Sequence, residues 1–192
     1  MRIAISGTHC IGKSTLIQDF LKIYPKYFYK EEPYYQLQEM HGIEFSDDPT
    51  LDDFLEQLEY SLEQLEAHAT QPNVIFERCP IDFVAYGMYV AHQEGMDFED
   101  TPIVEKFSEI KESLENLDLI IFLPMTKADP ITCPESEDPR FQKAVDKNLK
   151  HIYREELFDL LPSHEHPRLI EIWGSPQERI RKIEHYMEEM ND

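Results

Sequence analysis

The chain has 192 residues, 41% of them hydrophobic, with 18 Lys and Arg against 39 Asp and Glu, a formal net charge of −21 at pH 7. That length and composition fit one ordinary globular domain spanning residues 1–192, without repeats or an interdomain linker. The charge repels nucleic-acid polymers and anionic membranes. There is no apolar run long enough to cross a bilayer and no signal-peptide pattern, so a cytoplasmic protein is expected.

The first segment, "MRIAIS", reads as a strand buried on both faces. It runs into "GTHCIGKST", residues Gly7, Thr8, His9, Cys10, Ile11, Gly12, Lys13, Ser14 and Thr15. The spacing Gly-x-x-x-x-Gly-Lys-Ser between a strand and a helix is that of a phosphate-binding loop. Gly7 and Gly12 let the backbone curl so that its N–H groups face inward, making a nest for oxyanions at a helix N-terminus. Lys13 is expected to reach the β- and γ-phosphates of a nucleoside triphosphate, and the Ser14 hydroxyl to ligate Mg²⁺. The loop alone does not separate a kinase from a GTPase or an ATPase.

Three cysteines, Cys10, Cys79 and Cys133, leave one unpaired and lack metal-ligand spacing, which fits a reducing compartment. Cys10 lies near a helix N-terminus, where a thiol pKa falls. A redox role is one reading of it and a plain loop residue the other; the second is preferred.

After the loop, Leu16, Ile17, Phe20, Leu21 and Ile23 recur at helical spacing until Pro25. "YFYKEEP" is a second, shorter strand with Glu31 and Glu32 at its end. "DDPTLDDFLEQLEYSLEQLEAHA" is a helix capped by Thr50 or Asp48, with Leu51, Phe54, Leu55, Leu58, Leu62, Leu65 and Ala69 in one stripe. "NVIFERCP" is a third strand ending at Glu77 and Arg78, and "IDFVAYGMYVAHQ" a partly buried helix. "TPIVEKFSEIKESLENL" reads as one helix with Thr101 as cap and Pro102 at its first position. "LDLIIFLP" is the fourth and most apolar strand. A proline-rich flap follows, then the helix "FQKAVDKNLKHIYREELFDLL", the strand "RLIEIWG", and a last helix capped by Ser175.

Strands alternating with helices predict an α/β fold: a three-layer α/β/α sandwich on a five-stranded, mainly parallel sheet. With the phosphate loop after its first strand, the chain resembles the fold of P-loop containing nucleoside triphosphate hydrolases. Ligands in such sheets sit beyond the C-terminal strand ends, where the polar residues above cluster.

"TKAD", Thr126 to Asp129, is similar to the guanine-reading motif of GTPases, in which Asp129 would accept from the base. The Asp-x-x-Gly that a GTPase carries after its third strand is missing here, where the sequence is "FERCPID", so ATP is the expected donor. "EEP" and "FERCPIDFVAY" instead resemble the Glu-Pro and Glu-Arg-Ser motifs of deoxyribonucleoside kinases. They also resemble the Asp-Arg motif of thymidylate kinases, and the P-loop kinases known only as ATP-binding AAA-type proteins. The resemblance spans residues 1 to about 90 and, more loosely, a lid at about 126–150.

It implies a small-molecule kinase that transfers the γ-phosphoryl of ATP·Mg²⁺ to a hydroxyl of a nucleoside-like acceptor. Glu32 is then the general base, Glu77 holds the Mg²⁺ shell, and Arg78 contacts phosphate or the acceptor oxygen; Asp82 is the fallback carboxylate. Elementary chemistry asks for the same groups: a carboxylate within reach of the acceptor hydroxyl, and cations around the transferring group. In the lid, Arg140, Lys143, Lys147, Lys150 and Arg154 fall on one helix face, with Arg140 the first choice for a phosphate contact. By the same resemblance the nucleobase lies near Trp173 to Pro176.

From Glu31 to Glu77 there are 13 acidic residues and no Lys or Arg. Kinases of nucleoside monophosphates clamp a dianion with arginines from this region, so the expected acceptor is uncharged or cationic near its hydroxyl. The alternative function is an NTPase acting as a regulatory switch with a protein partner. The sequence leaves the oligomeric state open, a homodimer included.

Overall fold

The computed structural model describes residues 1–42, 49–127, 129, 138–162 and 166–190. Within them, β1 (Arg2–Ser6), β2 (Phe28–Lys30), β3 (Val74–Glu77), β4 (Leu119–Phe122) and β5 (Arg168–Glu171) form one sheet in the order β2-β3-β1-β4-β5. Every pairing is parallel, with Ile3 opposite both Ile75 and Leu119. The register follows from the apolar runs. β1, β3 and β4 are covered on both faces, so alternate residues feed two cores.

On one face Ala4, Val74, Phe76, Ile120 and Phe122 pack with residues of α3 (Leu51–Ala67), α4 (Pro80–Glu94), α6 (Phe107–Leu114) and α7 (Pro139–Glu155). On the other, Ile3, Ile5, Ile75, Leu119 and Ile121 pack with α1 (Lys13–Ile23) and α8 (Pro176–Glu189). Each fully buried side chain of that size contributes about 1.5–3 kcal/mol relative to exposure. The expected three-layer arrangement is therefore present. No helix among the described residues is long and apolar enough to cross a membrane.

Caps fall where expected. Thr50 accepts from the Asp53 amide and Asp53 answers to the Thr50 amide, while Ser175 and Glu178 make the same reciprocal pair. Such a cap contributes about 1 kcal/mol. Asp48, Cys133 and much of the proline-rich segment lie outside the described residues.

Three elements differ from the sequence reading. The helix expected from Thr101 breaks into α5 (Pro102–Glu105) and α6, because the Lys106 amide bonds the carbonyl three residues back, on Ile103, at 3.1 Å. The Thr101 hydroxyl, expected to cap, donates to the Phe98 carbonyl at 2.8 Å. The helix expected to run through Leu161 ends at Glu155. Glu156 and Phe158 take φ of 54° and 68°, which brings the Phe158 ring 5.1 Å from that of Phe107. Finally, α2 (Pro33–His41) stands where no helix is expected. Its signals are Pro33 at the first position and Gly42 at the C-terminal cap with φ 63°.

Candidate active site

The phosphate loop leaves β1 at Ser6 and enters α1 at Lys13. Gly12 takes φ 89°, a conformation costly for any residue with a Cβ. At Gly7 a Cβ would lie 3.0 Å from the Leu123 carbonyl oxygen. The bond from the Leu16 amide to the Gly12 carbonyl, 3.0 Å, closes the first turn of α1, so the amides just before it have no partner inside the helix. Those amides form the positive end of the helix dipole, a ready anion site. Lys13 is 4% exposed and its Nζ donates to the Thr8 carbonyl at 3.0 Å. Burial, and then the Arg78 charge, lower its pKa.

Beneath the loop lies Asp82, fully buried near the start of α4. Its carboxylate accepts from Ser6 Oγ at 2.9 Å, the Gly7 amide at 2.8 Å and the Cys79 amide at 2.6 Å. Tyr153 of α7 donates to Ser6 Oγ at 2.9 Å. Asp82 is therefore a strut under the loop, shut off from solvent and engaged by several donors. The sequence reading offered it as the fallback base; its burial leaves it no approach to an acceptor.

Two acidic groups flank the loop. Glu77, at the end of β3, accepts from Ser14 Oγ at 2.6 Å and from the Tyr29 hydroxyl. Burial, then the Glu77 bond, push the Tyr29 pKa up, which keeps it a donor. The juxtaposed hydroxyl and carboxylate at the mouth of a phosphate loop fit Mg²⁺, a hard cation that takes one or two protein oxygens and completes its shell with phosphates and water.

Glu32, the N-terminal cap of α2, pairs with Arg78 Nε at 2.5 Å. Burial alone would raise the Glu32 pKa, but Arg78 and then Lys13 outweigh it and hold the carboxyl below its ordinary range. Arg78 is buried, donates through Nη1 to the Gly7 carbonyl at 3.1 Å, and stacks 4.9 Å from the Tyr86 ring centroid. Burial works against its charge, yet Glu32 keeps its pKa above the ordinary arginine value. Its own φ is 87°, an uncommon backbone for a long side chain. The strain is held by the Arg78 amide bond to the Ile5 carbonyl, 3.0 Å.

His9 is half-buried, its ring 6.1 Å from that of Tyr86. Its amide donates to Tyr86 Oη at 2.8 Å, and its carbonyl accepts from Gln142 of α7 at 2.8 Å. Burial, then Arg78 and Lys13, lower the imidazole pKa to about 4, so the ring is neutral at pH 7. The Phe141 ring lies 5.0 Å away, 4.5 Å from the Tyr89 ring and 5.5 Å from the Tyr86 ring on which Arg78 stacks, so the three rings form an aromatic wall that begins at Arg78.

The cationic face of α7 divides. Lys150 pairs with Asp146 at 2.5 Å and donates to the Met125 carbonyl at 2.8 Å. Arg154 makes a two-pronged pair with Glu171 at 2.8 and 2.7 Å. Arg140, Lys143 and Lys147 are exposed.

A cleft of about 710 Å³ is lined by Cys10, Gly12 and Thr15 of the loop and α1 together with Asp129, Trp173 and Lys182. Trp173 is 43% exposed, with Lys182 Nζ 4.4 Å from its ring centroid. Asp129, the acid of "TKAD", accepts the Gly174 amide at 2.6 Å and lies 3.4 Å from Arg179 Nη2. Asp82, Tyr29, Gln142 and Arg179 were not singled out for these contacts in the sequence. Apart from the Asp82 bond to the nearby Cys79 amide, the partners that fix them to the loop are distant in the chain, as Ser6 and Gly7 are from Asp82, Glu77 from Tyr29, His9 from Gln142 and Ile11 from Arg179.

Residues 2–179 match the family model described as AAA domain. A search of curated proteins found no match. Several solved structures share the fold. The deoxyadenosine kinase from M. mycoides with bound dATP has a TM-score of 0.63 at 19% identity, over 100% of both chains. NadR protein in complex with NR gives 0.59 at 15%, over 91% of this chain and 44% of that one, so this chain spans less than half of NadR. Thymidylate kinase from Candida albicans gives 0.57 at 14%, over 99% and 92%. At such identities the likeness is one of fold.

Proposed function

The chain belongs to the AAA domain family, and on that footing we propose that it is a small-molecule kinase, moving the γ-phosphoryl group of ATP onto a hydroxyl of a nucleoside-like acceptor. The observation that carries this reading is the Glu32–Arg78 pair. It is fastened to the phosphate loop through the Gly7 carbonyl, and neither Glu32 nor Arg78 lines the Trp173 cleft. A donor seated in the loop has its base toward the cleft and its γ-phosphate toward a carboxylate and a guanidinium.

Each group then has a task. Loop amides and Lys13 bind the β- and γ-phosphates. Ser14 and Glu77 hold Mg²⁺, which when bound neutralises charge on those oxygens. Glu32, kept ionised by Arg78, accepts the acceptor's hydroxyl proton as the O–P bond forms; the bond to the β-phosphate breaks and ADP leaves. Its low proton affinity is no obstacle, because phosphoryl transfer through a loose transition state asks more for orientation than for strong base. Arg78 spreads the charge on the transferring group, and Arg140 is the further candidate for that work from α7. The aromatic wall of Tyr86, Phe141 and Tyr89 supports a ring-bearing acceptor. So do the ligands that two neighbours' structures hold, dATP in the deoxyadenosine kinase and NR in NadR.

Charge sets the expected choice among acceptors. The segment from Glu31 to Glu77 brings carboxylates and no cation, so a monophosphate would face repulsion with Arg78 as its main counter-charge. Like-charge juxtaposition of this kind costs several kcal/mol. In paired assays with Mg²⁺·ATP at fixed salt, nucleosides are expected to show kcat/KM about tenfold or more above their monophosphates. Faster turnover of the monophosphate would mean that Arg140 and Lys143 supply a clamp, and would overturn the charge argument.

A further inference from the structure

Arg179 stands in the first turn of α8 and is 6% exposed. Its guanidinium reaches three segments that are far apart in sequence. Nη1 donates to the Ile11 carbonyl, inside the phosphate loop, at 2.9 Å. Nε donates to the Gly174 carbonyl, after β5, at 3.0 Å. Nη2 lies 3.4 Å from Asp129 Oδ2, and Asp129 closes the ring by accepting the Gly174 amide at 2.6 Å. Gly12 leaves the room for this: a Cβ there would lie 3.3 Å from Nη1.

The pairing with the carboxylate is the longest of the three contacts. The two shorter ones go to backbone carbonyls of Ile11 and Gly174, both of which line the same cleft. Ile11 stands where triphosphate would bind, and Gly174 beside Trp173, where a base would lie. A planar guanidinium fixes both distances at once, which a flexible ammonium cannot do. Two subsites bound by one ligand reinforce each other only when their spacing matches it.

We propose that Arg179 is a positioning residue that holds the base end of the cleft in register with the phosphate loop, so that base and triphosphate of one donor bind together. This rests on reading the cleft as the donor site.

The test compares dissociation constants for Mg²⁺·ATP and for Mg²⁺·tripolyphosphate, which has no base, in the wild type, Arg179→Gln and Arg179→Lys. The wild type is expected to favour ATP. That preference should shrink by roughly tenfold or more in both variants, with the acceptor KM unchanged. Arg179→Lys keeps a positive charge beside Asp129, so it carries the test if Arg179→Gln does not fold. An unchanged preference in the folded variants would overturn the proposal, even if both ligands bind more weakly, since Arg179 would then only brace the loop. A wild type that binds neither ligand, or binds both equally, would instead remove the donor-site reading and the proposal with it.

Discussion

Lys13→Ala is expected to lose phosphoryl transfer by a factor of at least roughly 10²–10³, the cost of removing one preorganised donor from a transferring group, and to lose tight ATP binding with it. The fold should survive. The ammonium is buried, donates to the Thr8 carbonyl at 3.0 Å, and lies close enough to Arg78 for the two charges to oppose each other. Such a charge is held at a cost in the ligand-free loop, and a polyanion offsets that cost on binding. Alanine removes both the cost and the use. Dissociation constants for Mg²⁺·ATP and turnover, with a thermal melt as the control for folding, separate the two. A folded Lys13→Ala protein with full activity would withdraw the basis for placing phosphates in this loop.

Glu32→Gln is the second large effect. Turnover is expected to fall by roughly 10²–10⁴ with a smaller change in KM, since general-base assistance acts in the transition state. Glutamine keeps an oxygen for Arg78 Nε, now 2.5 Å from the Glu32 carboxylate, so the buried guanidinium retains a partner and the fold is spared the larger penalty of an unpaired charge. Asp82→Asn is the matching control. Asp82 accepts from Ser6, Gly7 and Cys79 and is fully buried, so its substitution should lower the melting temperature before it touches the acceptor step. Turnover of Glu32→Gln within about threefold of wild type would sink Glu32 as the base, because general-base losses start at roughly 10².

Much of this was legible because it is local. The phosphate loop, the strand after strand of apolar runs, and the Glu77–Arg78 and Glu32 strand ends all declare themselves within a few residues. What stayed hidden depends on partners far along the chain. Asp82 reads as a carboxylate one turn past Arg78; only the fold reveals Ser6, 76 residues away, bonding to it from above. The spacing of Arg154 marks it as part of a cationic face, but Glu171, on β5, occupies it. "TKAD" is similar to a base-reading motif, yet the Asp129 carboxylate is engaged by Gly174 and Arg179. The break at Lys106 and the turn at Glu156 serve the packing of Phe107 and Phe158. Neither is visible in apolar spacing that reads equally well as continuous helix.

A kinase and a nucleotide switch differ most plainly in what receives the phosphoryl group. Mg²⁺·ATP labelled at the γ-phosphate, incubated with the protein alone and with each of a panel of nucleosides, follows that group directly. The kinase reading predicts ADP formation that rises with at least one nucleoside, with the label appearing on that nucleoside. Slow ADP formation that no nucleoside accelerates, with all label in free phosphate, would contradict it.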